Sequence, residues 1–316
     1  MKNIFPAIYV LMLMLILVLV GCVQTNTTER PARLQIRDVK IWNETPVQNL
    51  ASAVNNQNVK QIEKLAKEQP DIINYQESQF GMTLLLWSVG MEKYEAAKAL
   101  LECGADPNII GTWEGGTALY RAAGYSFIDT DAKKDAKYVK LLLEYGADPN
   151  IGFIGNDHNN SDEIGTTPLM ASIGCGIEKT KALVEVGADI NYRLPSGKTA
   201  SIMALDMGGP NTTFEAMLYA HYLIVEKGAK VTEPYSAFLG YSSTIDTSDT
   251  SRRYPVEILR NWIPRLDSEG YKIKMEIVEE FARQGADYWT TEIPKSRLEQ
   301  IQKLYPDTWQ EFIEKY

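Results

Sequence analysis

Apolar residues recur along most of this chain at alternating spacings of three and four, in runs the length of a short helix. Ala96, Ala97, Leu100 and Leu101 form one such stripe, and Val139, Leu141, Leu142 and Leu143 form another. A stripe at that spacing gives a helix one face to bury. Five runs end in Gly-Ala and a polar turn, at Gly104, Gly146, Gly187, Gly228 and Gly285, and the first four of these glycines are 41 or 42 residues apart. A matching start precedes the first four: Gly81-Met82-Thr83-Leu84, Gly116-Thr117-Ala118-Leu119, Gly165-Thr166-Thr167-Pro168 and Gly197-Lys198-Thr199-Ala200. The pattern predicts a tandem array of helix pairs. One pair cannot cover its own apolar face, so neighbours must stack.

The start and stop residues fit the chemistry of helix ends. A Thr hydroxyl accepts from the orphan amides of a first turn, and Pro168 sits where a missing N–H costs nothing. At the other end Gly takes the left-handed conformation that closes a helix. The Asp and Asn that follow (Asp106, Asn108, Asp148, Asn150, Asp189, Asn191) favour turns by bonding their own backbone. Thr83 to Gly104 spans 21 residues and Thr167 to Gly187 spans 20, against 29 for both Thr117 to Gly146 and Thr199 to Gly228. Repeats two and four therefore carry insertions, placed between the paired helices at Tyr125–Lys134 and Gly208–Phe214. A third, Ile151–Ile164, lengthens the hairpin that opens repeat three. Loop closure costs grow slowly with length, so these additions are tolerable either as solvated loops or as reach toward a partner.

These motifs resemble the ankyrin repeat, which reads Gly-x-Thr-Pro-Leu-His at its start and Leu-Leu-x-x-Gly-Ala-Asp at its end. The resemblance covers Thr45 to Trp289. It implies an all-α solenoid of stacked helix-turn-helix units joined by hairpin loops. Thr45-Pro46 is expected to start a helix through Val54 that pairs with Val59–Glu68 as a first, degenerate unit. Leu34–Trp42 alternates apolar and polar residues, as a short strand or an ordered lead-in. After Gly228 the pattern weakens into a polar run, Ser242–Ser251. A fifth unit follows, with helices over Tyr254–Trp262 and Tyr271–Arg283. Pro294–Leu304 and Asp307–Tyr316 then form a C-terminal helical cap.

An ankyrin stack implies protein binding, and the position after the Leu-x pair of each first helix would face the concave side: Trp87, Arg121, Ala171 and Met203. The hairpin tips add Phe80, Trp113, Phe153 and Tyr192. Aromatic, Met and Arg residues are the types that anchor interfaces, so Trp87, Trp113, Arg121, Phe153 and Met203 are the candidate partner-binding residues. Trp113 stands out because it lies between Gly111 and Gly115-Gly116, where no core is expected nearby. The competing reading is that Trp87 and Phe80 pack on each other or on the next repeat.

Residues 1–21 resemble a lipoprotein signal peptide: Lys2, an apolar run Ile8–Val20, then Leu19-Val20-Gly21-Cys22, with Cys22 as the lipidated residue. The alternative is an uncleaved anchor, since Ile4–Val20 is 17 residues and approaches spanning length. The domain plan is thus signal peptide 1–21, lipidated Cys22 and tether 22–44, ankyrin repeats 45–289 and cap 290–316. Cys103 and Cys175 lie about two packing layers apart, roughly 20 Å or more, and are expected as free thiols. His158 and His221 leave no Cys/His cluster for a metal.

The formal charge is −9, or −10 once Lys2 is removed, which disfavours nucleic acid and anionic lipid surfaces as partners. Candidate chemistry does not converge, and no cofactor is expected. Gly197-Lys198-Thr199 lacks the upstream Gly of a phosphate loop, where Tyr192 stands. Asp157, Asn159 and Ser161 have calcium-loop spacing, but Asp162 replaces the needed Gly and Pro168 the bidentate Glu. Gly240-Tyr241-Ser242-Ser243-Thr244 fails the nucleophile elbow at its last position. The expected protein is a non-enzymatic, lipid-anchored, envelope-facing binding protein, on the periplasmic face of the outer membrane if the cell is Gram-negative. Bacterial ankyrin lipoproteins of this build resemble the immunity proteins of type VI lipase effectors, which implies a toxin or phospholipase as partner. The alternatives are an envelope scaffold or assembly factor and, third, a hydrolase whose site lies in the loops.

Overall fold

The computed structural model describes residues 35–129, 134–155, 163–207, 213–236 and 252–316. Fourteen α-helices make up its framework. They are α1 (Gln48–Asn55), α2 (Val59–Glu68), α3 (Leu84–Gly90), α4 (Tyr94–Glu102), α5 (Ala118–Ala123), α6 (Lys137–Glu144) and α7 (Pro168–Ala171). There follow α8 (Ile177–Glu185), α9 (Ala200–Asp206), α10 (Phe214–His221), α11 (Pro255–Leu259), α12 (Glu269–Arg283), α13 (Lys295–Leu304) and α14 (Trp309–Lys315). They pair in sequence, and each pair packs on the next, α3 on α5, α5 on α7, α4 on α6 and α6 on α8. One continuous apolar core, including fully buried Leu100, Leu119, Leu142, Leu183 and Leu205, runs from Ile41 to Tyr288. Each such side chain contributes roughly 1.5–3 kcal/mol by leaving water. A separate small cluster of Ile301, Phe312 and Tyr316 holds the last two helices together.

The punctuation residues act as their chemistry dictates. Thr83, Thr117, Thr167 and Thr199 cap α3, α5, α7 and α9, each hydroxyl accepting from the amide three residues on, at 3.2, 3.2, 3.4 and 3.2 Å. Gly104, Gly146, Gly187, Gly228 and Gly285 all have positive φ, between 69° and 96°, and an added Cβ would meet no atom within 4 Å at any of them. What selects glycine there is backbone conformation alone.

The turn residues do more than bond locally. Asn74, Asn108, Asn150 and Asn191 each accept, at 2.8 Å, from a backbone amide of the following repeat: Asp106, Asp148, Asp189 and Lys230. Asn108 and Asn150 also donate forward to the carbonyls of Gly146 and Gly187, at 3.1 and 3.3 Å. Asn at this position thereby fixes the offset between repeats, while Asp106, Asp148 and Asp189 bond their own turns.

Some boundaries differ from the expected ones. The first helix begins at Gln48, because the Thr45 hydroxyl donates to Trp42 O at 2.7 Å and closes the preceding turn instead of capping a helix. The lead-in is a turn and a 3-10 helix, Val39–Trp42, capped by Asp38. The first helix of the fifth unit is only Pro255–Leu259. In repeat four part of the surplus length extends the second helix as a π turn, Tyr222–Glu226. Among the described residues no helix is long and apolar enough to cross a membrane. Cys22 and the polar run 242–251 lie outside the described residues.

Candidate interaction surface

The concave column is occupied by the protein itself. Trp87 is fully buried; its indole Nε1 donates to Ile36 O at 2.9 Å, and its ring meets Trp42 edge-on at 6.4 Å. The expectation that Trp87 faces a partner is thus corrected: the lead-in covers it. Arg121 is mostly buried, its guanidinium paired with Glu114, donating to Tyr125 O at 3.0 Å and lying 4.7 Å over the Phe127 ring. Phe127 in turn sits on Gly90, its amide donating to Gly90 O at 2.8 Å, and a Cβ on Gly90 would fall 2.1 Å from its ring. Arg121 therefore locks the repeat-two insertion back across repeat one. Ala171 and Met203 are half-buried against the core.

The insertion also reaches forward. Lys134, at its far end, pairs with Glu215 of repeat four at 2.7 Å, and its carbonyl crowds Gly176 of repeat three, 2.6 Å from where a Cβ would stand. Loops on this edge thus tie four repeats together. Gly176, the N-cap of α8, donates to the Tyr219 hydroxyl at 2.7 Å.

The hairpin tips form a second edge, bonded one to the next. Trp113 N donates to Phe80 O at 3.0 Å, Ile154 N to Gly115 O at 2.8 Å, and Ser236 N to Ser196 O at 2.7 Å. Between repeats three and four the link is Glu163, whose carboxylate accepts from the Ser196 amide and hydroxyl at 2.8 and 2.6 Å. Trp113 is half-buried against Phe80, ring centroids 5.3 Å apart, which corrects the expectation that no core lies near it. Phe153 is buried and stacked on Tyr120 at 5.7 Å, so it braces the tip and does not project from it. What projects is Ile154, Ile164 and Tyr192, exposed by 52, 60 and 37%. They are neighbours, since Gly155 lies under Ile164 and Gly165 under the Tyr192 hydroxyl. The row ends in a two-stranded antiparallel pair, β1 (Tyr235–Ser236) and β2 (Arg252–Arg253), followed by half-exposed Tyr254.

The reactive groups do not assemble. Neither Cys103 nor Cys175 forms a disulfide among the described residues, and burial, reinforced by Glu63 and Glu102, raises the Cys103 pKa away from the thiolate. His221 lies between Glu226 and Glu276, at 3.3 and 2.6 Å, and ties repeat four to α12. Thr199, part of the Gly-Lys-Thr triplet, spends its hydroxyl on capping α9. Asp157, Asn159, Ser161 and His158 lie outside the described residues, as does Gly240-Tyr241-Ser242-Ser243-Thr244. No group of three or more His, Cys, Asp or Glu able to hold a metal occurs among the described residues.

Sequence reading missed a set of buried charges. Lys179 caps the end of α5, donating to the Ala123 and Gly124 carbonyls at 3.3 Å each. Lys274 is fully buried, donates to Trp262 O at 3.0 Å and lies 3.6 Å over the Tyr316 ring; burial, then the nearby Arg260 charge, pulls its pKa well down. Arg260 donates to Tyr316 O and Tyr288 O at 2.7 and 2.8 Å and latches the cap. Lys274 was detectable, because it falls at helical spacing among Gly270, Ile273, Ile277, Val278 and Phe281 on the buried stripe of α12.

A stack of helix pairs with bonded hairpin tips and an inter-repeat Asn ladder defines a repeat solenoid. Residues 49–153 match the family "Ankyrin repeats (3 copies)", and the stacking of helix pairs seen there continues past that match among the described residues. Protein PhlB of Serratia liquefaciens is 35% identical to this chain over 98 residues, covering 31% of this chain and 36% of PhlB. The match thus spans about a third of that curated relative's length. Among solved structures the ankyrin repeat protein EF0377 aligns with 75% of this chain and 98% of its own length, at 23% identity and a TM-score of 0.48.

Proposed function

We propose that this chain is a lipid-anchored, envelope-facing protein that binds another protein and inhibits it, as an immunity partner of a secreted phospholipase-like toxin. The observation that supports a binding role is the tip row. It is a mutually bonded edge that leaves Ile154, Ile164 and Tyr192 in solvent. Ankyrin repeats mediate protein–protein contacts, and apolar and aromatic side chains on a rigid support are what interfaces bury at their centres. Anchoring is read from Leu19-Val20-Gly21-Cys22: lipid on Cys22 would hold an acidic domain at a membrane that its charge does not favour.

The test has two arms. Secreted phospholipases of the producing organism are assayed for fatty-acid release from phospholipid vesicles while the full-length chain is titrated in; the proposal expects one of them to lose activity near a one-to-one ratio. Inhibition of none, with lipid turnover by the chain itself, contradicts it. In the second arm Cys22→Ser should abolish palmitate labelling and leave unprocessed precursor, and continued labelling would remove the anchor from the proposal.

A further inference from the structure

The chain carries a formal charge of −9, yet four basic side chains gather at one end of the tip row, beside the Glu163 carboxylate that is held by Ser196. Arg193 and Lys198 stand on a hairpin loop and Arg252 and Arg253 on the neighbouring strand β2, and none makes an ion pair with a carboxylate among the described residues. Their proximity follows from backbone contacts. Arg253 and Arg252 are the register partners of Tyr235 and Ser236, Ser236 N donates to Ser196 O at 2.7 Å, and Arg193 Nη2 donates to Pro234 O at 2.7 Å. Arg193, Arg252 and Arg253 are all exposed, as are Tyr192 and Tyr254 beside them. The last hydrogen bond pins one Arg193 nitrogen and leaves the rest of the fork for another acceptor.

We infer that this end of the tip row docks an extended protein segment carrying two adjacent carboxylates. The inference rests on the reading of the chain as a protein-binding module and names the chemistry of the partner segment. Three features specify that chemistry. Charge complementarity selects an acidic segment, against the repulsion such a segment meets from the rest of this molecule. Arg252 and Arg253 form β2 and are both exposed, so an extended backbone can lie alongside this strand. Successive side chains of a strand point to opposite faces, so Arg252 and Arg253 flank that strand from two sides; neighbouring acids on an added strand also alternate faces and meet one Arg each. Tyr192 and Tyr254 supply apolar contact at either end of the strip.

The test uses the full-length chain in a neutral detergent and fluorescein-labelled ten-residue peptides rich in Val and Thr, with Glu-Glu or Gln-Gln at the centre. Fluorescence anisotropy should show the Glu-Glu peptide binding at least about tenfold more tightly than the Gln-Gln peptide, with the preference fading as salt rises to about 0.5 M. Arg252→Ala/Arg253→Ala should erase the preference. Lys60→Glu/Lys67→Glu, on exposed positions of α2 at the far end of the stack, should leave it intact. Equal binding of the two peptides overturns the inference, and so does loss of the preference in the α2 variant, which would make it a general field effect. A peptide preference that fails while a phospholipase is still inhibited removes this docking strip alone. A preference that holds while no phospholipase is inhibited removes the inhibitor reading alone.

Discussion

A single conformation at a single residue type sets the period of this molecule. Gly146 closes α6 at φ 83° with open space where a Cβ would stand, so a substitution there meets no clash and registers only backbone strain. Gly146→Val should therefore lower stability by about 1–2 kcal/mol, while Gly146→Asn, which tolerates the left-handed region, should cost less. Thermal melts of the two variants check this, and equal melting of Val, Asn and wild type would place the helix end elsewhere. The same glycines were readable from sequence because Gly-Ala after an apolar run has few other uses. Asn108 and Asn150 were read only as local turn formers, since their partners lie 37 to 40 residues away and nothing in the local sequence names them. Buried Lys179 escaped notice for the same reason: its acceptors are carbonyls, which no side-chain pattern reveals.

At the level of elements, helices and punctuation were legible while the residues lining the concave side were not. Periodicity located α2 and α12 closely because each carries its own stripe and a side-chain cap, Asn58 and Ser268. It placed Trp87 and Arg121 on the correct helices but could not show what covers them, because the lead-in and the repeat-two insertion carry no repeat pattern of their own. Phe127 is the key to that insertion. Gly90→Val would put a side chain where the Phe127 ring lies, 2.1 Å away, and expel the loop; the overpacking should cost about 1–3 kcal/mol. Amide exchange at Phe127, bonded to Gly90 O, should accelerate in this variant while exchange at Ile202, under the Thr199 cap, does not change. Unaltered protection at Phe127 would show that the loop is held by something other than this contact.

For the whole molecule, both long edges are cross-linked, one by the repeat-two insertion and the other by bonded hairpin tips. A stack braced in this way presents a surface whose shape changes little on binding, which limits the ordering cost of association. It also moves the expected binding surface. Trp87 and Phe153 are part of the core, and Arg121 and Trp113 are half-used within it, so the projecting Ile154, Ile164 and Tyr192 become the centre of the candidate interface. The most direct measurement is a calorimetric titration of the protein partner into the full-length chain and into Ile154→Asp/Ile164→Asp/Tyr192→Asp. The tip-row account predicts that affinity falls by at least about a hundredfold, close to 2.7 kcal/mol, while the melting temperature stays within a few degrees. A variant that melts as wild type does and binds with undiminished affinity would contradict it.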